Sequence, residues 1–154
     1  MSGLRQFVLG LHLLSAVVWI GGMAFIGLAI GPYLRTLEPV QRARLVNEIG
    51  GRFRTVSWIA IAILIATGIG NLALWGVLGD LSAFLTTRTG RILIWKLLVV
   101  AIMVIIAALH DFVLGPRATA DPDSHRMRKL VSWLGRLNLI LGLLILYLAI
   151  RLRG

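Results

Sequence analysis

Five ionisable side chains lie within long apolar stretches of this sequence, where such groups are costly and usually face other protein groups. They are His12, Lys96, His110, Asp111 and Arg136. An imidazole is a common metal ligand, and a neutral amine can also donate its lone pair. Their types therefore suggest metal or cofactor chemistry inside a membrane.

The heights of these groups along their helices decide which of them can share a site. With a rise of about 1.5 Å per residue, His12 lies about 8 Å from the middle of the first apolar stretch, and Lys96 lies about 10 Å from the middle of the third, toward the same side. His110 lies about 10 Å from that middle toward the opposite side. We therefore predict that His12 and Lys96 share a site and that His110 is a candidate for a second one.

Each of these residues also has a structural interpretation, and the sequence leaves both open. His12 could hydrogen-bond a polar group across helices. Lys96 could extend its amine to the outer headgroups, although Val99, Met103 and Ala107 join it and His110 on one stripe that is expected to face inward. Asp111 could hold His110 by a hydrogen bond, and an ion pair between Asp111 and Arg136 is predicted from their similar height.

The composition identifies the class of protein. Only 14% of the 154 residues are charged, against about 25% in a soluble domain. The net charge is +10, but the arginines cluster where the apolar stretches end, which favours anionic lipid over nucleic acid as the partner. Cysteine is absent, and this excludes disulfides, thiolate metal sites and covalent haem attachment.

Four apolar stretches are long enough to cross a bilayer, at residues 4–31, 55–78, 92–115 and 130–150. They predict an all-α, four-helix transmembrane bundle in one domain, residues 1–154, without an internal repeat. Nine basic residues in the first and third loops against five on the other side place both termini outside. The first loop is predicted to hold a short interfacial helix capped by Thr36 and stopped at Gly50-Gly51, and Asp123 or Ser124 is predicted to cap the fourth helix.

Three segments resemble known membrane proteins: LHLLSAVVWIGGMAF, RFRTVSWIAIAILIATGIGNL and GRILIWKLLVVAIMVIIAALH. They resemble the copper resistance D (CopD) group and, more distantly, the HemJ-type protoporphyrinogen oxidases. The HemJ resemblance implies haem b binding, with His12 and Lys96 at the positions of a functional histidine and lysine. HemJ-type proteins also carry an Arg, Asn and Glu cluster, but here Leu139 follows Arg136 and Asn138, which argues against protoporphyrinogen oxidation.

These observations lead to a small integral membrane protein, of a prokaryotic cytoplasmic membrane, that binds haem b between its helices. Electron transfer, or oxidation of a lipophilic or porphyrin-like substrate, is the expected role, and whether the protein is an enzyme stays open, as does oligomerisation. The residues predicted to bind the cofactor are His12, Lys96, Ser15, Trp19, Asn71 and Arg91. The alternatives are a CopD-type copper transport or homeostasis protein using His12, Met23 and Met103, and a non-catalytic assembly subunit.

Overall fold

The computed structural model describes residues 2–77, 79–120 and 124–152, and every element within these ranges is helical. The elements are α1 (Ser2–Phe25), a π-helix π1 (Ile26–Ile30), α2 (Gly31–Leu34), α3 (Pro39–Leu74), α4 (Leu81–Thr86), α5 (Arg88–Ala108), a second π-helix π2 (Leu109–Leu114), α6 (Gly115–Ala120) and α7 (His125–Arg151). Four helical segments are long and apolar enough to cross a membrane: Gly3–Leu34, Pro39–Leu74, Arg88–Ala118 and His125–Arg151. The protein is a multi-pass integral membrane protein.

The chain forms two compact units, Met1–Leu81 and Ser82–Gly154. The first unit is a helical hairpin in which α1 packs along α3. The ring of Phe53 occupies the space where Gly22 has no side chain, and Val8 lies 3.5 Å from the position that a Cβ on Gly70 would take. Early residues of α1 thus meet late residues of α3, so the two helices are antiparallel.

After α4, the second unit repeats the order of elements of the first unit, and α5 packs along α7. Met103 is completely buried, and Ala107 and Ile145 are also buried. Before α5, Thr87 accepts a hydrogen bond from the backbone N–H of Gly90 at 2.9 Å and caps the helix. A side chain on Gly90 would collide with the carbonyl of Phe84, so this tight turn needs glycine.

Proline explains why the first long helix of each unit ends in a π-helical turn. Pro32 and Pro116 have no N–H, and in an α-helix their rings would press on the carbonyl four residues earlier. In each unit the preceding glycine bonds five residues back, Gly31 to the Ile26 carbonyl and Gly115 to the His110 carbonyl. The wider turn moves the crowded carbonyl aside.

The structure confirms the all-α class and the four spanning helices, but it corrects several details. Residues 39–51 are helical as the first turns of α3, and the predicted stop at Gly50-Gly51 is wrong. The position before α3 is occupied by Glu38 rather than by the predicted cap Thr36, and no side chain caps this end. Ser124 does cap α7, by accepting from the Met127 N–H at 3.4 Å, while Asp123 lies outside the described residues.

The end of α3 has a clear local cause. Gly76 has φ 74°, a left-handed conformation that glycine adopts without strain. The N–H of Gly76 bonds the Ala73 carbonyl, and the N–H of Val77 bonds the Leu72 carbonyl. This is a Schellman motif, which terminates the helix at Leu74.

The two units therefore repeat one construction, although no repeat is evident in the sequence. Each has a long apolar helix, a π-turn, a Gly-Pro pair, a short helix and a second long helix. Most apolar positions on a lipid-facing helix accept any of several residues, so the side chains of the two units can differ. What repeats is the helix geometry and one dipeptide.

Candidate functional site

The candidate site in the first unit centres on a hydrogen bond between His12 on α1 and Thr67 on α3. Nδ1 of the imidazole lies 2.8 Å from the Thr67 hydroxyl oxygen. That hydroxyl is also 2.6 Å from the carbonyl of Ile63, one turn earlier in the same helix. Because a hydroxyl has one proton and donates it to the carbonyl, its oxygen accepts from the imidazole. His12 therefore carries its proton on Nδ1, and its basic lone pair is on Nε2.

The surroundings of His12 combine a glycine with buried polar and aromatic groups. Cε1 of the ring lies 3.7 Å from the position that a Cβ on Gly68 would take, so the imidazole sits beside bare helix backbone. Ser15 and Trp19 follow on the same face of α1 and are 5% and 4% exposed. Asn71 is half-buried one turn after Thr67. The predicted companions of His12 within this unit thus share one face of the hairpin.

In the second unit, the predicted stripe on α5 is the buried face of that helix. Met103 and Ala107 are buried, and Lys96, Val99 and His110 are half-buried. Arg91, which is predicted to bind the cofactor, is exposed in the first turn of α5. Lys96 thus lies at the edge of the core of its own unit, and its predicted role as a ligand stays a prediction.

His110 and Asp111 form a pair within π2, as the sequence suggested. Nδ1 of His110 lies 2.8 Å from Oδ1 of Asp111, with the two side chains 34% and 18% exposed. Arg136 is exposed on α7. The ion pair between Asp111 and Arg136 stays a prediction, as does a second site at His110.

The copper alternative depends on ligands that are far apart within each helix. His12 and Met23 are eleven residues apart in α1, or about 16 Å along the axis. Met103 is seven residues from both Lys96 and His110 in its own helix, or about 10 Å. In the part of the chain that the structure describes, no three His, Asp or Glu side chains gather as a metal site.

Thr67 is the residue of this site that the sequence analysis missed. A threonine in an apolar helix usually bonds its own backbone carbonyl, so it gives little signal alone. The sequence offered one signal. Thr67 lies one turn before Asn71, and the stretch that begins at residue 58 has no other polar side chain up to that point. Only the pairing of α1 with α3 shows which polar group it meets.

His12 and Lys96 hold equivalent positions in the two repeated helices. His12 lies nineteen residues before Gly31 of the first Gly-Pro pair, and Lys96 lies nineteen residues before Gly115 of the second. Each is therefore the same number of turns from the π-turn that ends its helix. This equivalence is a count of residues within each unit, so it does not depend on where the middle of the membrane is placed.

Comparison with known proteins supports the resemblance to the copper resistance D group. The family model for copper resistance protein D matches residues 47–152, a range that contains Lys96 but begins after α1 and His12. An uncharacterised protein of Aquifex aeolicus is 34% identical over 151 residues, covering 97% of this chain and 96% of that protein. The inner membrane protein YebZ of Escherichia coli is 28% identical over 139 residues, which are 88% of this chain and 43% of YebZ. No solved structure matches the chain significantly. With two thirds of its length matched by the family model, the chain belongs to the copper resistance protein D family.

Proposed function

We propose that this CopD-family membrane protein binds haem b, and that Nε2 of His12 would hold the iron. The observation that carries the proposal is the hydrogen bond from His12 Nδ1–H to Thr67. Histidine ligands in metalloproteins almost always donate their second ring N–H to a fixed acceptor, which sets the tautomer and the ring orientation. Thr67 supplies that acceptor on a neighbouring helix.

The residues around His12 fit a flat cofactor held between helices. Gly68 leaves bare backbone beside the ring, and Trp19 offers a buried aromatic surface about two turns along the same face of α1. In the second unit, Arg88 and Arg91 are exposed cations at the start of α5, and cations suit carboxylates such as the propionates of a haem. Bound haem would supply one-electron chemistry, and transfer to a lipophilic redox partner is the role we propose for it.

Lys96, in the second unit, is proposed as a second nitrogen ligand that would hold the haem iron, or as a proton-bearing group. The support is its equivalence to His12 in the repeated helices, each nineteen residues before its Gly-Pro pair. Arginine keeps the positive charge of lysine but does not lose its proton and cannot ligate. Lys96→Arg should therefore change the haem spectrum from low-spin to high-spin, as Lys96→Met should. An unchanged Lys96→Arg spectrum would leave this residue as an anchor at the membrane surface.

The absorption spectrum of detergent-purified protein tests the haem proposal directly. We expect a Soret band with about one haem per chain, and its loss in His12→Ala. His125→Ala is the matched control, because His125 is exposed in the first turn of α7 and should leave the spectrum intact. Full haem content in folded His12→Ala protein would contradict the assignment.

Copper handling is the second candidate, and the family description, copper resistance protein D, favours it. His12 would then be an imidazole ligand for copper, with Met23 and Met103 as thioether groups along a path. Elemental analysis of the same preparations separates the two candidates. Colourless protein that carries copper, and loses it in His12→Ala, would support this candidate over haem.

A further inference from the structure

Four side chains at the start of α7 line a shallow groove on the surface of the second unit. The groove has a volume of about 310 Å³ and is lined by Arg126, Lys129, Leu130 and Trp133. Their spacing along the chain places them on one face of the helix. All four are exposed, Leu130 at 46% and Trp133 at 60%. An external ligand can therefore reach each of them.

The groove lies away from the face of α7 that packs inside its unit. Asn138 and Ile145 mark that packed face, at 5% and 9% exposed, and they lie about a third of a turn around the helix from the groove. Ile140 is 61% exposed and lies on the groove face, about two turns beyond Trp133. The exposed face thus continues from the groove along the apolar part of the helix.

The side chains of the groove follow the helix in the same order as the parts of a phospholipid cross a membrane surface. Arg126 and Lys129 precede the apolar stretch that begins at residue 130, so they lie at the level of lipid headgroups. Trp133 is seven residues beyond Arg126, or about 10 Å. Tryptophan is enriched at that level, between the headgroups and the acyl chains.

The charges beside the groove favour an anionic ligand. Arg126, Arg128 and Lys129 lie within the first five residues of α7, which contains no Asp or Glu. The acidic residues nearest in sequence, Asp121 and Asp123, precede the helix. Within the part of the chain that the structure describes, neither Arg126 nor Lys129 takes part in an ion pair. Both cations are therefore available to an anionic headgroup.

The walls of the groove favour a lipid over a soluble anion. They are almost wholly apolar, because Arg126 and Lys129 line the groove with their aliphatic stems and hold their charges at its rim. A free phosphate gains nothing from apolar walls. An amphiphile can place its phosphate between the two cations and bury apolar surface in the groove.

We propose that Arg126 and Lys129 bind the phosphate of an anionic phospholipid whose acyl chain lies along Leu130 and Trp133. The guanidinium can hold two phosphate oxygens at once, and the ammonium adds a second point of charge. The site lies wholly on α7, so it rests on no part of the haem proposal.

Lipid titration of the purified chain tests the site. Phosphatidylglycerol is added to protein in a neutral detergent, and native mass spectrometry counts the bound lipids and the chains in each particle. We expect binding to weaken about fivefold in Arg126→Gln or Lys129→Gln and about thirtyfold in the double variant, because each basic residue adds its own attraction to anionic lipid. Arg117→Gln is the matched control, since it removes the same charge from an exposed position in α6.

The replaced side chains are exposed, so each variant should unfold at the wild-type temperature when lipid is absent. Trp133→Ala should also weaken binding, because it removes the largest apolar wall of the groove. Unchanged binding in Trp133→Ala together with the double variant would overturn the site.

Other results would overturn the proposal in favour of a different occupant. Equal weakening in Arg117→Gln would show unspecific attraction of charge. Equally tight binding of phosphatidylcholine, which has no net charge, would show that the cations do not select the lipid. Glycerol phosphate that binds as tightly as the whole lipid would make the ligand a soluble anion. A lipid-free dimer that dissociates in the double variant would mean that the groove holds a second copy of the chain.

Discussion

At the scale of single residues, Thr67 decides which ring nitrogen of His12 carries the proton. The hydroxyl donates to its own helix and accepts from Nδ1, so the imidazole is held in one tautomer and one orientation. A histidine free to rotate or to change tautomer would be a weaker ligand. The role that we propose for His12 as a ligand thus depends on a residue fifty-five positions away in the sequence.

Replacing Thr67 with valine tests this dependence. Thr67→Val keeps the shape of the side chain and removes the acceptor, and we expect haem affinity to fall about 10- to 100-fold, as for other outer partners of metal-bound histidines. Haem titration, followed by the Soret band, measures the change. Thr67→Ser keeps the hydroxyl and should restore most of the affinity. Equal affinity in Thr67→Val and wild type would show that Thr67 does not position the ligand.

At the scale of elements, the contact between α1 and α3 depends on close approach at Gly22. Helices in a membrane gain little from hydrophobic burial against each other and associate by tight packing of small residues. The ring of Phe53 fills the space beside Gly22. Trp19 and Ile20 are buried one turn earlier on the same helix. Loss of this contact should loosen the hairpin that brings His12 to Thr67.

The neighbouring glycine provides a matched comparison for this packing. Gly22→Val places a side chain into the Phe53 ring, and overpacking of this kind costs about 1–3 kcal/mol of stability. Nothing lies within 4 Å of a Cβ on Gly21, so Gly21→Val should have little effect. The unfolding temperature in detergent measures the stability of both variants. If both valine variants unfold at the same temperature, the contact at Gly22 is unimportant. Partial rescue of Gly22→Val by Phe53→Leu would instead confirm that the Phe53 ring fills this space.

At the scale of the whole molecule, the orientation in the membrane follows from the distribution of basic residues. The loops at residues 32–54 and 116–129 hold nine of them, against five on the other side. The positive-inside rule therefore predicts that these loops face the cytoplasm and that both termini lie outside. The arginines of the first of these loops would then meet the anionic cytoplasmic leaflet, and His12 would lie in the outer half of the membrane.

Single cysteines test this orientation, because the natural chain has none. A cysteine at Gln41 should resist an impermeant thiol reagent in intact cells and react after the cells are opened. A cysteine at Gly3 should react in intact cells. The reverse pattern would invert the protein and place the His12 site in the cytoplasmic half.

The sequence alone determined the class of the protein and the position of its spanning helices. The length of an apolar stretch and its low charge follow from the residues in it and do not depend on tertiary contacts. Four membrane-spanning helices and an all-α fold were therefore predictable. Predictions that depend only on neighbouring residues also succeeded, as with the Ser124 cap at the start of α7. They failed at Gly50-Gly51, because α3 continues through both glycines, and only tertiary structure showed that both residues stay helical.

Tertiary structure decided which polar groups meet. His12 was identifiable as a costly imidazole in an apolar helix, but its partner depends on the register of α1 against α3, which apolar patterns barely specify. Two atoms of α3, Nε of Arg54 and Oγ of Ser57, are buried without a hydrogen-bond partner. The repeat of the two units was hidden because its only sequence sign is a single Gly-Pro pair in each unit, while the π-turn before it is a property of backbone geometry. The hydropathy pattern indicates how deep in the membrane a residue lies. Only the packing of the helices decides which residue lies beside it.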